Sequence, residues 1–205
     1  MKKGLLIIGI AVIIIAVYFL FFNKSADKAP EEPKQQALAQ SKNNDAFNKP
    51  FNAMLTTYFS LHDALVEWDS VRAPKVADSL VIALNNIPFN ELKGDTTITL
   101  TAKSFSDNTV AEAKGLAGEK TIEGQRKEFN MVTDNLYNLI RTVHYDQQVI
   151  YHDKCPMAFN ETDEGFWLST TSEIINPYLG KKHPHYKSGM LGCGSVVDSV
   201  DFRQK

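Results

Sequence analysis

Apolar positions fall into three regimes along the chain. From Gly4 to Phe22 they form an uninterrupted run, GLLIIGIAVIIIAVYFLFF; from Asn23 to about Asn44 they nearly vanish; beyond Pro50 they recur at three- and four-residue steps. At about 1.5 Å per residue the first run nearly spans a hydrocarbon core, with Lys2 and Lys3 before it and Lys24 after it. No small-residue cleavage motif follows Phe22, so the run predicts an uncleaved transmembrane anchor over residues 1–23, a cleaved signal being the alternative. The paired lysines favour a cytoplasmic N-terminus, which places the rest of the chain in an extracytoplasmic compartment that permits disulfides. Residues 24–45, rich in charge and carrying Pro30 and Pro33, lack the apolar surface needed to offset ordering entropy and predict a disordered linker.

The stepped region predicts a helical bundle over residues 46–146. A first helix runs from about Pro50 to Trp68 on the face Phe51, Leu55, Tyr58, Phe59, Leu65 and Val66. A second starts near Ala73, with Pro74 in its first turn, carries Val76, Leu80, Ala83, Leu84 and Ile87, and stops at Pro88. In the third segment, Thr96 to Thr101 is β-branched and alternating, which admits a short strand. Ala102, Phe105, Thr109, Ala113 and Leu116 then keep helical spacing, with Gly115 and Gly118 as the expected stop. Thr121 is the expected N-cap of a fourth helix lined by Ile122, Phe129, Val132, Leu136, Leu139, Ile140 and Val143. Short connections favour an antiparallel up-down four-helix bundle, so the fold class is mainly α.

After Tyr145 the period changes. Gln148 to Tyr151 and Phe166 to Ser169 read as the strands of a short β-hairpin with its turn near Asp163, Glu164 and Gly165. Residues 147–205 are otherwise rich in Gly, Pro and His and predict a small loop-rich C-terminal unit packed on the bundle.

Both cysteines of the chain lie in that unit, in Cys155-Pro156-Met157 and Met190-Leu191-Gly192-Cys193, with His152 three residues before the first and His183 and His185 in the loop before Met190. Soft sulfur donors select Cu(I) or Ag(I) over hard cations, which nominates Cys155, Cys193, Met157 and Met190 as metal ligands with His152 as a further donor. From composition alone, two cysteines in an exported domain are read first as a Cys155–Cys193 disulfide. An oxidised pair offers no thiolate, so the two readings compete. His62, on the apolar face of the first helix, reads as a hydrogen-bonded core residue, and Trp68 and Trp167 as packing anchors.

Charge narrows the function classes. The formal net charge is −2 and no basic patch stands out, which argues against a nucleic-acid partner. No G-x-S-x-G, H-E-x-x-H, Walker or G-x-G-x-x-G pattern is present, so the chain reads as a non-enzyme.

The ordered series Cys155-Pro156-Met157-Ala158, Trp167-Leu168-Ser169, Ile175 through Gly180 and Met190 through Gly194, with Tyr58-Phe59, Asp63 through Val66 and Gln125-Arg126 in the helices, resembles a bacterial exported domain of unknown function. That domain also occurs fused to the C-terminus of periplasmic adaptor subunits of copper/silver efflux pumps. The resemblance implies a helical bundle with a Cys/Met-bearing C-terminal unit and a role near heavy-metal handling. One departure stands out: Lys181 to Gly189 separates Asn176-Pro177-Tyr178-Leu179-Gly180 from Met190, where the family pattern brings the two close together. The expectation is a single-pass protein of the bacterial inner membrane, its domain facing the periplasm. It would bind copper(I) or silver(I) and work with an efflux or copper-delivery partner, the alternative being a disulfide-stapled interaction module.

Overall fold

The computed structural model describes residues 43–203, so the Gly4–Phe22 run and most of the linker lie outside the described residues. Among the described residues no helix is long and apolar enough to cross a membrane.

Four helices come first. Asn44 caps α1 (Asp45–Val66) by accepting from Phe47 N. The helix therefore starts about a turn before the expected Pro50, because Phe47 extends the stripe of Phe51 and Leu55 and is fully buried with them. Pro50 is accommodated inside the helix. Helix α2 (Arg72–Asn85) carries Pro74 in its first turn as expected and ends ahead of Pro88. A single 3₁₀ turn, Phe89–Glu91, leads to α3 (Thr96–Gly118).

The strand considered at Thr96–Thr101 is helix. Asp95 accepts from Ile98 N at 2.8 Å, and buried Ile98 stands four residues before buried Ala102. A cap and a continuous stripe outweigh local β propensity here. Gly115 lies within α3, and the helix closes at Gly118. Thr121 caps α4 (Ile122–Thr142) through Gly124 N, as its position predicts. Consecutive helices pack against one another, α1 on α2, α2 on α3 and α3 on α4.

The C-terminal unit holds a three-stranded antiparallel sheet of order β2-β1-β3, not the expected two-stranded hairpin. Its strands are β1 (Ile150–Phe159), β2 (Asp163–Ser169) and β3 (Ser195–Val200). The turn expected at Asp163–Gly165 lies earlier, at Asn160 and Glu161, both with positive φ. Two consecutive left-handed residues match the twist of a tight hairpin, which frees Asp163 to Gly165 to extend β2. The third strand was hidden because Ser195 to Ser199 is exposed and gives no alternation of buried positions. The sheet packs on α4 through β2.

Tyr58 ties the layers together. Its ring stacks on Phe129 of α4 with centroids 5.2 Å apart. Its hydroxyl pairs with Thr133 Oγ1 at 2.7 Å and accepts from Leu168 N of β2 at 3.0 Å. Burial pushes this phenol's pKa well up, so it serves as a neutral hydrogen-bonding hub.

Candidate functional site

The segment Asn176-Pro177-Tyr178-Leu179-Gly180 organises the C-terminal unit. Asn176 is fully buried. Its side-chain oxygen accepts from Tyr178 N and Leu179 N at 2.7 and 3.0 Å, and its amide donates to Cys193 O at 2.7 Å. One side chain thus caps a turn and holds the cysteine-bearing turn against it. Pro177 O accepts from Arg126 Nε, and the Tyr178 hydroxyl donates to Phe166 O. Gly180 adopts φ +53, and a Cβ there would stand 2.7 Å from Val66 O and 2.6 Å from Trp68 Nε1. Only glycine lets this segment wrap the end of α1.

Cys155 and Cys193 meet in this frame. Cys155 sits on β1 opposite Gly165, fully buried. Cys193 closes a turn by donating its N–H to Met190 O at 3.0 Å. Gly194 follows at φ +145, and a Cβ there would lie 2.6 Å from Lys154 O. That close approach of two backbones brings the half-buried Cys193 to β1, and the two sulfurs stand 4.0 Å apart. At this separation the sulfurs are in contact but not bonded; a disulfide would bring them to about 2.05 Å. Burial, and then the neighbouring Cys155, push the Cys193 pKa up.

The other predicted donors divide. Met157 lies two residues along β1 from Cys155, and Met190 opens the Cys193 turn; both are half-buried against the core. His152 goes elsewhere. The β1–β2 register runs without interruption from Tyr151 to Cys155, so alternation sends His152 and Cys155 to opposite faces of the sheet. The His152 ring stacks on Tyr137 of α4 at 4.2 Å and against Phe166 at 5.1 Å, and burial lowers its pKa. It belongs to the interface with α4 and not to the thiol pair. Among the described residues no three of His, Cys, Asp and Glu gather as a metal site, so a metal here would rest on the two sulfurs and their methionine neighbours.

His183 and His185 lie in the inserted loop, both rings against Tyr186. His183 Nδ1 faces the backbone N–H groups of His185 and Tyr186, each at 3.2 Å, and its ring meets Trp68 edge-on. The inserted loop is thereby folded onto the protein. His62 is the hydrogen-bonded core residue its position predicts, bridging Asp63 and Ile175 O. Trp167 is a buried packing anchor.

Sequence reasoning missed two residues. Asp153 is fully buried on β1; burial raises its pKa, with Ser169 and His62 offsetting part of the shift. Arg126 is only 4% exposed and lies over Trp68, its Cζ 3.8 Å from the ring centroid. The signal for Arg126 was available, since Ile122, Arg126 and Phe129 follow one another at steps of four and three. A charged residue on a helix's apolar stripe marks a buried charge.

No curated protein and no solved structure matches the chain. Residues 54–148 carry a domain that matches the family described as protein of unknown function (DUF3347).

Proposed function

We propose that the protein is a non-enzymatic, membrane-anchored, extracytoplasmic binder of Cu(I) or Ag(I) that hands the ion to an efflux or delivery partner. The reading rests on the juxtaposition of Cys155 and Cys193, 4.0 Å apart, one buried and one half-buried. With metal–thiolate bonds of about 2.3 Å, the zinc value, that 4.0 Å separation corresponds to a bent sulfur–metal–sulfur angle of about 120°. Such a two-thiolate arrangement leaves room for a thioether from Met157 or Met190, and soft low-coordinate sites favour Cu(I) and Ag(I). A partly accessible cysteine suits transfer to a partner. The location and the efflux connection rest on the Gly4–Phe22 run and on the resemblance of the C-terminal series to domains fused to efflux adaptors.

The test is anaerobic titration of the reduced full-length chain with Cu(I) against a chromophoric Cu(I) chelator. Withdrawal of about one equivalent, lost in Cys155→Ser and in Cys193→Ser, is the expected result. Because both thiols must lose their protons, affinity should rise with pH. A folded, reduced protein that withdraws no copper sinks the proposal. The same proximity favours a second reading, a Cys155–Cys193 staple in an interaction module. Thiols blocked in protein taken from its native compartment, and released only by reductant, would select it.

A further inference from the structure

A cleft of about 330 Å³ opens between the start of α4 and the inserted loop, lined by Trp68, Glu123, Arg126, Lys127, Asn160 and His183 among others. Buried charges in proteins are ordinarily paired, because an isolated ion loses its hydration without compensation. Arg126 breaks that pattern. Among the described residues it has no carboxylate within ion-pair distance, and its protein partners are two carbonyls: Nε donates to Pro177 O at 2.9 Å and Nη2 to Leu65 O at 3.3 Å. A guanidinium carries five N–H donors, so Nη1 and the second hydrogen of Nη2 are left over on the terminal edge of a group that lines the cleft. Trp68 holds the guanidinium plane from one side, and the Trp68 indole is itself fixed by donating to Leu179 O at 3.0 Å.

We infer that this cleft binds a small carboxylate ligand on the free edge of Arg126. A planar carboxylate matches two parallel N–H donors of a guanidinium. The charge also fits: two cations, Arg126 and Lys127, and one carboxylate, Glu123, line the cleft. Glu161, next in the chain to Asn160, also acts on His183, so the cleft carries little net charge and suits a monoanion better than a phosphate dianion. Burial lowers the Arg126 pKa to about 9, which leaves it charged at neutral pH. Burial and the neighbouring Arg126 also lower His183. With its Nδ1 facing two backbone N–H groups, the neutral ring carries its proton on Nε2 as a further donor. Neither cysteine lines this cleft, and the inference is independent of the metal reading.

The experiment is NMR titration of the full-length ¹⁵N-labelled chain with acetate, following the Arg126 Nε–H and Trp68 Nε1–H signals at constant ionic strength against chloride. A saturable shift with a dissociation constant on the order of 1 mM is expected for so few ligand atoms. Arg126→Lys should weaken it tenfold or more. The exposed variants Glu123→Gln and Lys127→Gln, which leave the buried guanidinium in place, should respectively tighten and loosen it by about threefold. These two keep the inference testable if Arg126→Lys does not fold. A shift no larger than chloride produces, an affinity unmoved by Glu123→Gln and Lys127→Gln, or saturable binding of inorganic phosphate but not acetate would each overturn it.

Discussion

The helical region and the C-terminal unit are held in different ways. In the helices, buried apolar residues recur along each stripe, and Asn44, Asp95 and Thr121 each cap a helix start. In the C-terminal unit, order depends on single contacts that do not repeat. Asn176 makes three hydrogen bonds, Gly180 and Gly194 allow backbone approaches that a Cβ would block, and Tyr178 anchors on Phe166 O. A stripe distributes its stabilisation over many side chains and tolerates volume-conserving change. A polar keystone concentrates it, because each lost partner leaves buried groups unsatisfied. The candidate thiol pair sits in the second kind of structure, where position is set by a few hydrogen bonds.

The largest effect should come where the two regions join. Phe129 packs on Tyr58 at 5.2 Å and on Tyr178 at 6.2 Å, so Phe129→Ala should cost about 4 kcal/mol and lower protection in both regions together. Urea unfolding with hydrogen exchange tests this; loss confined to the helices would mean that the seam is not shared. Next comes Asn176→Ala, which leaves two N–H groups and the Cys193 carbonyl without their partner, at a cost of about 3 kcal/mol. Here the expected loss is local: the amides of Tyr178 and Leu179 exchange faster while those in the middle of α4 stay protected. Equal loss along α4 would show one cooperative unit in place of two, and the contrast drawn above would fail.

The same contrast explains what could be read from the chain. The helices were legible because a period of 3.6 repeats the same instruction many times. The cap at Thr121 and the burial of Phe129, Val132, Leu136, Leu139, Ile140 and Val143 agree with expectation, whereas Ile122 is only partly buried and Gln125, Arg126, Thr133 and Tyr137 join the buried face. The strand considered at Thr96 misled because propensity is judged over a few residues, whereas the cap at Asp95 and the burial of Ile98 act across the whole helix. Strand β3 could not be read because it is exposed along most of its length. For the site, the approach of Cys155 to Cys193 was suggested by composition, but the opposite facing of His152 follows from the β1–β2 register. No local pattern carried that register. The matched family span, residues 54–148, ends before both cysteines.

The smallest effect should lie on the surface of the helical region, where the contrast predicts tolerance. Burial, and then hydrogen bonding and repulsion from Glu112 of α3, raise the pKa of Glu128 on α4. The sign follows from linkage. Below the ordinary glutamate value, about 4.3, the carboxyl is protonated in folded and unfolded chains alike and the pair costs nothing. As pH climbs from there through the raised folded value, the unfolded chain ionises more readily than the folded one, so stability falls, and it stays reduced above that window. Glu112→Gln removes the repulsion. It should leave stability unchanged near pH 4 and raise it by about 0.5 kcal/mol at pH 7, a gain that shrinks with added salt. Urea unfolding at the two pH values and two salt concentrations measures it, and a difference independent of pH would remove the pair as its cause. An effect this small beside that of Asn176→Ala is what a stripe-built region should give. Its identity rests on buried apolar periodicity, so a charge clash on its outer face changes the depth of the native state and leaves its shape alone.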